Sequence, residues 1–279
     1  MMRTIVITGA SDGIGAEAAR QLSEATVDKD QQLVLIGRSP EKTRRIAEEL
    51  GAAHHLVDYT SLDSVRVLAA TLNEKYGRID VLANNAGGVF SGPVRTVDGF
   101  ERTFQVNYLA PFLLTHLLME KLMSSQANVV FNSSFTSWMM GKIDLHDLSG
   151  WGNFSINQAY ANSKLAVNIF SEQLHQRYHR QGISTVSFSP GMVATNVVRE
   201  SGYEPGPRLK KLAAPFLTPL DRAGGRLAYF ISGEPGRDWE SGKFYGSNLK
   251  PGRHTKLSQS PRLSERVWEL SSQMLAIRW

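Results

Sequence analysis

The chain has 279 residues, 42% of them hydrophobic and 20% charged, an ordinary globular balance long enough to bury a sizeable core. Its net charge of +5 could suggest an acidic partner such as nucleic acid, but it is scattered, with no run of five basic residues, so a solvated surface is the better reading and no nucleic-acid partner is expected. No cysteine is present, which excludes disulfides, thiolate chemistry and cysteine-ligated zinc.

The N-terminus, MMRTIVITGA, enters a strand pattern within three residues and has neither the apolar core nor the length of a signal peptide. No stretch nears the roughly 18 uninterrupted apolar residues of a membrane-spanning helix. A soluble, cytoplasmic protein is expected. Residues 4–8 (TIVIT) are a continuous apolar run, as for a strand covered on both faces. A helix over 13–22 follows, with Ile14, Ala18 and Leu22 on one stripe. Residues 33–36 (LVLI) make the second strand. Ser39 and Pro40 then supply an N-cap and a first-turn proline to a helix that carries Ile46 and Leu50 inward and stops at Gly51. The third strand is read at 55–57. Thr60 with Asp63 resembles a capping box, opening a helix with Val65, Leu68 and Leu72 on one face. Strands four, five and six fall at 79–83, 128–132 and 183–188, separated by long helices at 104–123 and 158–179. A helix near 222–232 and a short strand at 243–245 complete the alternation.

This alternation predicts an α/β fold, a single doubly wound Rossmann-type parallel sheet with helices on both faces, in one domain over 1–279. Residues 137–157 have no clear period, and 192–218 are rich in proline and glycine; both are read as substrate-loop insertions. Residues 260–277 carry Leu263, Val267, Leu270 and Leu275 at helical spacing after a Ser-Pro start, which predicts a C-terminal helix.

TGASDGIG, residues 8–15, lies between the first strand and the first helix. Gly9 allows a tight turn, Gly13 a close backbone approach and Gly15 a helix–sheet contact, while the helix N-terminus offers N–H groups to a pyrophosphate. Thr8, Ser11, Asp12 and Ile14 belong to the same candidate loop. A glycine trio can also end a strand for structural reasons alone; its place here favours a dinucleotide. An NAD site usually has Asp or Glu at the end of the second strand. This strand instead ends Gly37-Arg38-Ser39, with no acid until Glu41. Arg38 can pair a 2′-phosphate, with Ser39 and Lys42 assisting, so NADP(H) is the expected cofactor. Asn84-Asn85-Ala86-Gly87 follows strand four at the ligand-binding edge, where its amides would either touch the nucleotide or close an Asx turn. Tyr160 and Lys164 stand four apart on a predicted helix and share one face. A nearby ammonium and an oxidised nicotinamide would both favour the phenolate, poising the pair for proton transfer.

With these residues in place, the sequence resembles the short-chain dehydrogenase/reductase superfamily over its whole length. The matches are TGASDGIG, Asp58 after strand three, NNAG, Asn107 in FQVNYLAPF, NSS at 132–134, YANSK and SPGMVAT. The resemblance implies a catalytic tetrad of Asn107, Ser134, Tyr160 and Lys164, with Ser133 the alternative serine. Ser134 would bond the substrate oxygen, Tyr160 exchange its proton, Lys164 hold the ribose, and Asn107 anchor a water leading to Lys164. Asp58 would face the adenine, and Pro190, Gly191, Val193 and Thr195 the nicotinamide side. The long insert before YANSK, SGKFYGSNLK and the terminal SERVWELSSQML resemble the retinol-dehydrogenase-like branch. Ser134 and Tyr160 lie 26 residues apart, about twice the usual family spacing, so the insert must loop out for them to meet.

The expected partner is a small, hydrophobic carbonyl or alcohol substrate. Trp138, Met139, Met140, Trp151, Phe154, Met192, Val198, Tyr203, Leu209 and Phe216 on the two insertions would make an apolar pocket, or simply pack those loops onto the body. No metal is expected, since His54, His55, His175 and His179 lack partner carboxylates. A homodimer through the two long helices is implied by the resemblance, although an insert before the second can obstruct it. Residues 208–217 (RLKKLAAPFL) read as a substrate-covering loop, because Pro215 would break a membrane-binding helix early. Two other functions fit parts of the pattern. A protochlorophyllide-reductase-like enzyme shares the Tyr/Lys pair but is expected to use a cysteine. A non-catalytic NADP sensor or scaffold would commonly lack the Tyr or the Lys.

Overall fold

In β1 (Arg3–Thr8) every residue from Thr4 onward is buried, as the unbroken apolar run requires of a strand with helices on both sides. The computed structural model describes residues 2–25, 31–152, 154–193, 217–252 and 260–279. Around β1, the strands β2 (Gln31–Gly37), β3 (Ala53–Leu56), β4 (Val81–Asn84), β5 (Asn128–Asn132), β6 (Ser184–Phe188) and β7 (Lys243–Tyr245) form one sheet. All six pairings are parallel, in the order β3-β2-β1-β4-β5-β6-β7. The chain adds strands outward from β1 to β3, then returns to the other side of β1 with β4. That reversal opens a crevice between the carboxyl ends of β1 and β4, where ligands bind in sheets of this kind.

Side-chain alternation divides the core into two layers. Ile5, Ile7, Leu33, Leu35, Val81 and Ala83 pack with α1 (Gly13–Ala25), α2 (Pro40–Leu50) and α9 (Leu220–Ser232). Val6, Val34, Leu82 and Val129 face α3 (Leu62–Lys75) and the long helix α8 (Ile156–Tyr178). The second helix begins and ends as its sequence predicts: the Ser39 side chain accepts from Lys42 N, Pro40 opens the helix, and Gly51 closes it with φ of 62°.

Two local expectations are corrected. Ser61, not Thr60, caps α3, accepting from Ser64 N at 3.3 Å. Asp58 withdraws Thr60 by accepting from its amide at 2.9 Å and its hydroxyl at 2.8 Å. The helix expected over 104–123 is broken into α4 (Arg102–Phe104), a π-helical turn (Gln105–Leu109), α5 (Ala110–Leu117) and α6 (Met119–Ser124). Pro111 explains the π turn: it lacks the N–H that would bond the Asn107 carbonyl, and its ring crowds that carbonyl. The aperiodic insert contains one short helix, α7 (Thr136–Met140).

The predicted C-terminal helix is α10 (Pro261–Met274), capped by Ser260. It braces the π turn, because Tyr108 Oη meets Ser271 Oγ at 2.8 Å in a buried contact. Ser271 Oγ donates to Val267 O at 2.7 Å, so the tyrosine is the donor. Beyond the helix, Trp279 closes an aromatic cluster with Trp268, Phe112 and Phe170 at centroid separations of 4.4, 5.1 and 5.9 Å. Ser271→Ala strands the buried Tyr108 hydroxyl and should lower unfolding stability by roughly 1–3 kcal/mol, read by urea titration. Adding Tyr108→Phe to that variant should restore most of the loss.

Candidate active site

The crevice is held open by polar groups from the ends of β1 and β4. Thr8 Oγ1 donates to Ala83 O at 3.2 Å and accepts from Asn85 N and Ala86 N at 3.0 and 3.1 Å. Its single proton and both lone pairs are therefore used beneath the crevice. Asn85 Nδ2 donates to Thr8 O at 2.9 Å and Gly9 O at 3.3 Å. Gly9 turns the chain with φ of +67°. At Gly15 a Cβ would lie 2.4 Å from Gly9 O and 2.6 Å from Asn85 Nδ2. The expected helix–sheet role of Gly15 is thus a contact of the helix start with its own preceding turn. Any side chain there would push α1 off the loop.

The resulting cleft of about 490 Å³ is lined by Gly9, Ser11, Asp12, Gly13 and Ile14 on the β1 side, by Arg38 and Ser39 beyond β2, by Asp58 beyond β3, and by Ala86 and Gly87 beyond β4. Lys42 reaches it too, its Nζ 2.8 Å from Asp12 Oδ2 in a half-exposed ion pair. Asp12 Oδ1 also accepts from Gly13 N at 2.8 Å. A smaller hollow shares Ile14 and Gly87 with the cleft and adds Tyr160, Lys164, Pro190, Gly191 and Val193. The structure therefore gathers most of the residues singled out in the sequence along one continuous crevice.

Five of them, Thr8, Gly15, Asn84, Asn107 and Ser134, are not among its lining residues. Thr8 and Gly15 lie beneath its floor, as described. Asn84 points away, with Nδ2 donating to Thr115 Oγ1 at 3.2 Å within the core. Strand parity accounts for this: Asn84 shares its face with Leu82, which belongs to the α5 and α8 layer. Thr195 lies outside the described residues. Asn85 and Asn132 line the cleft in addition; the sequence reading placed the Asn85 amide at this edge and quoted Asn132 only as part of its motif. The doubled asparagine at the end of an apolar strand was the available signal for Asn85.

At the other end of the crevice, Ser134 stands beside the Tyr160 hydroxyl and favours its ionised form. The two neighbouring serines separate clearly. Ser133 Oγ donates to the Lys164 carbonyl at 3.2 Å, within the packing under α8, whereas Ser134 is the serine beside the tyrosine. Lys164 is 4% exposed, and its Nζ donates to Asn132 O at 2.8 Å. Asn132 Nδ2 in turn donates to Asn85 Oδ1 at 2.9 Å, so one chain of bonds runs from the glycine loop to Lys164. Asn107 sits in the π turn, accepting from Gly88 N at 2.8 Å and donating to Gly88 O and Ser163 Oγ at 2.9 and 3.0 Å. It makes no direct bond to Lys164 and lies behind Gly87 and Gly88, which it fixes.

Burial dominates the ionisation of the pair. It pushes Tyr160 up to about 12, with the neighbouring Ser134 acting in the opposite sense. It pulls Lys164 down to about 8. The lysine was expected to favour the phenolate, but its Nζ stands 5.7 Å from the Tyr160 ring centroid and is directed at Asn132 O. Tyr160 is accordingly a protonated phenol at neutral pH. It is an acid, not a base, as it stands.

The insert loops out, as the 26-residue spacing demands. Lys142 N bonds Asn162 Oδ1 at 2.7 Å and Gln158 Nε2 bonds Met140 O at 2.7 Å, fastening it to the start of α8. Trp151 lies under Arg95 at 4.9 Å and Phe154 lies against Gly92, so these two pack the insert onto the 90s loop. Trp138, Met139, Met140 and Met192 are exposed to between 38% and 61%, and none lines the crevice. Val198, Tyr203, Leu209 and Phe216 lie outside the described residues, as does most of 208–217. Among the described histidines, His55 meets the Tyr76 hydroxyl and His175 the Ser241 hydroxyl. No helix among the described residues is long and apolar enough to cross a membrane.

Residues 3–205 match the family model described as short chain dehydrogenase. Human retinol dehydrogenase 12 is 33% identical over 99% of this chain and 87% of its own length. A Streptomyces protein named as a daunorubicin C-13 ketoreductase, DnrU, is also 33% identical, over 97% of this chain and 91% of its own. Among solved structures, an uncharacterized protein from Mycobacterium paratuberculosis superposes with a TM-score of 0.77 at 27% identity, covering 99% of this chain and 94% of that one.

Proposed function

This chain belongs to the short-chain dehydrogenase family of oxidoreductases, in its retinol-dehydrogenase-like branch, and from that premise we propose that it is an NADP(H)-dependent reductase of bulky, apolar ketones or aldehydes. The whole chain acts as one catalytic domain in this reading, with the 137–157 and 192–218 segments about the substrate. The observation that carries it is Tyr160 with the buried Lys164 in one hollow, Ser134 beside the tyrosine, at the end of a crevice that begins at a glycine loop.

The crevice fits a phosphorylated dinucleotide by its donors. The N-terminal turn of α1 presents backbone N–H groups and a positive dipole to phosphate, and Arg38 and Lys42 stand at the far end. The nicotinamide, when bound, supplies or accepts the hydride. Tyr160 Oη, protonated at neutral pH, gives its proton to the substrate oxygen as the carbonyl becomes an alcohol. Ser134 donates a hydrogen bond to that same oxygen, and Lys164 holds the ribose. Asn107 keeps Gly88 in place and so fixes the wall of the crevice.

Arg38 sets the preference for the 2′-phosphate, because its guanidinium lines the cleft beyond β2 and can pair that group through charge-assisted bonds. A bond to a charged group is worth about 1.5–3 kcal/mol, so Arg38→Asp should lower NADPH affinity roughly 10- to 100-fold and favour NADH. Equal affinities of the wild type for both cofactors, by fluorescence titration, would contradict this.

The names of the two relatives, a retinol dehydrogenase and a ketoreductase of daunorubicin, support a large apolar substrate. The test is NADPH consumption, followed by absorbance, across ketones of increasing apolar size. Catalytic efficiency should climb about fourfold for each buried CH₂, at ~0.8 kcal/mol apiece. Absence of turnover with every aldehyde, ketone and alcohol, alongside tight NADPH binding, would point to a sensor instead.

A further inference from the structure

We propose that Thr136 is a positioning residue that fixes the direction of the Ser134 proton, holding it on the side where Tyr160 stands. The inference rests on the oxidoreductase reading above. A serine hydroxyl has one proton to give and two lone pairs to fill. Thr136 fills both lone pairs of Ser134: its hydroxyl donates to Ser134 Oγ at 2.9 Å and its amide at 3.2 Å. The one proton left on Ser134 must then point away from Thr136, to the Tyr160 side of the crevice, where a substrate oxygen would receive it. A serine without these donors could turn its proton elsewhere and present a lone pair to Tyr160.

The backbone around the pair is held just as closely. Ser134 O accepts from Ser137 N at 3.2 Å and Ser137 Oγ at 2.6 Å, and Ser137 Oγ accepts from Asn168 Nδ2 at 2.9 Å. Ser137 and Asn168 are buried, so the turn bearing Ser134 is clamped to α8, the helix that carries Tyr160. Phe135 N donates to Ser189 Oγ at 3.2 Å on the opposite side. Within this fixed turn, the Thr136 hydroxyl is the side-chain group that sets where the Ser134 proton goes. Thr136 touches neither Tyr160 nor the substrate oxygen. During reduction the Tyr160 O–H bond breaks and a new O–H bond forms on the substrate oxygen, while Ser134 keeps its own proton and shares it as a hydrogen bond.

The experiment compares Thr136→Val, which keeps shape and loses the hydroxyl, with Thr136→Ser, which keeps the hydroxyl. Thr136→Val should lower kcat for carbonyl reduction roughly 3- to 10-fold, the weight of one hydrogen bond, with the KM for NADPH unchanged. Alcohol oxidation needs the phenolate of Tyr160, which the Ser134 proton stabilises. Its rise with pH should move upward by about 0.5–1 pH unit in Thr136→Val. Thr136→Ser should match the wild type in both respects. In the cofactor-free protein, isotope-labelled tyrosine read by NMR gives a measurement independent of turnover. The Tyr160 Cζ resonance, assigned by its loss in Tyr160→Phe, should shift in Thr136→Val and stay in place in Thr136→Ser. A Thr136→Val enzyme with wild-type rate, pH profile and resonance overturns the proposal. Equal impairment of both variants also overturns it, since packing would then matter and the hydroxyl would not. A wild type inactive on every carbonyl and alcohol instead fails the oxidoreductase reading itself, and the proposal falls with it.

Discussion

Tyr160→Phe is expected to lower turnover by roughly 10²–10⁴-fold, the usual worth of general acid–base catalysis, while NADPH affinity stays close to that of the wild type. Only one oxygen is removed, and the ring remains beside Lys164 Nζ at the same packing distance. The phenol is held protonated at neutral pH by burial, which raises it to about 12, so it is ready to donate there. Without it, the developing alkoxide can take a proton only from water. Ser134 cannot replace it, because a serine that gave up its proton would become an alkoxide in a buried site. Purified Tyr160→Phe turning over at the wild-type rate would sink the assignment. A parallel fall in NADPH binding would instead mean that the residue serves the cofactor more than the chemistry.

The sheet was legible because its strands are apolar on both faces and lie between recognisable helix starts and stops. Ser39-Pro40 and Gly51 delimit α2 as read, and each strand moved by no more than two residues at either end. The break at 105–109 was not read, because hydrophobic periodicity hides a π turn; Pro111 was the local sign of it. That turn matters to the site, since it aims Asn107 at Gly88. Along the crevice, motif residues were legible wherever the backbone or side chain lines it. Asn84 and Asn85 could be told apart only by the parity of β4, which puts the first against Thr115 and the second over the glycine loop. Asn132 and Thr136 act by bonding other site residues, and such contacts across the sheet leave no spacing in the sequence. The direction of the Tyr160 shift was also out of reach, because burial outweighs the neighbouring charge and burial is a property of the fold.

Lys164→Met should abolish most activity and at the same time make the protein more stable at neutral pH. Burial holds the Lys164 ammonium at about 8, against an ordinary value of 10.5. The folded state thus disfavours this charge by roughly 3 kcal/mol. Below about pH 8 the lysine is charged in both the folded and unfolded chains, and the full penalty applies. Between about 8 and 10.5 the unfolded chain holds more protons than the folded one, so this residue makes stability rise with pH. Above that window both forms are neutral and the penalty is gone. Methionine has a similar length, carries no charge and gives up the bond to Asn132 O, which offsets about 1 kcal/mol of the gain. The variant should therefore melt about 4–8 °C higher than the wild type at pH 7, and the gap should close as pH approaches the upper end of the window. Activity should fall at least about 10²-fold, because the lysine is proposed to hold the ribose and support the Tyr160 proton. NADPH binding should weaken as well, which separates this variant from Tyr160→Phe. A Lys164→Met protein that melts below the wild type at pH 7 would show that the Asn132 bond outweighs the buried charge. One that keeps its turnover would remove Lys164 from the chemistry.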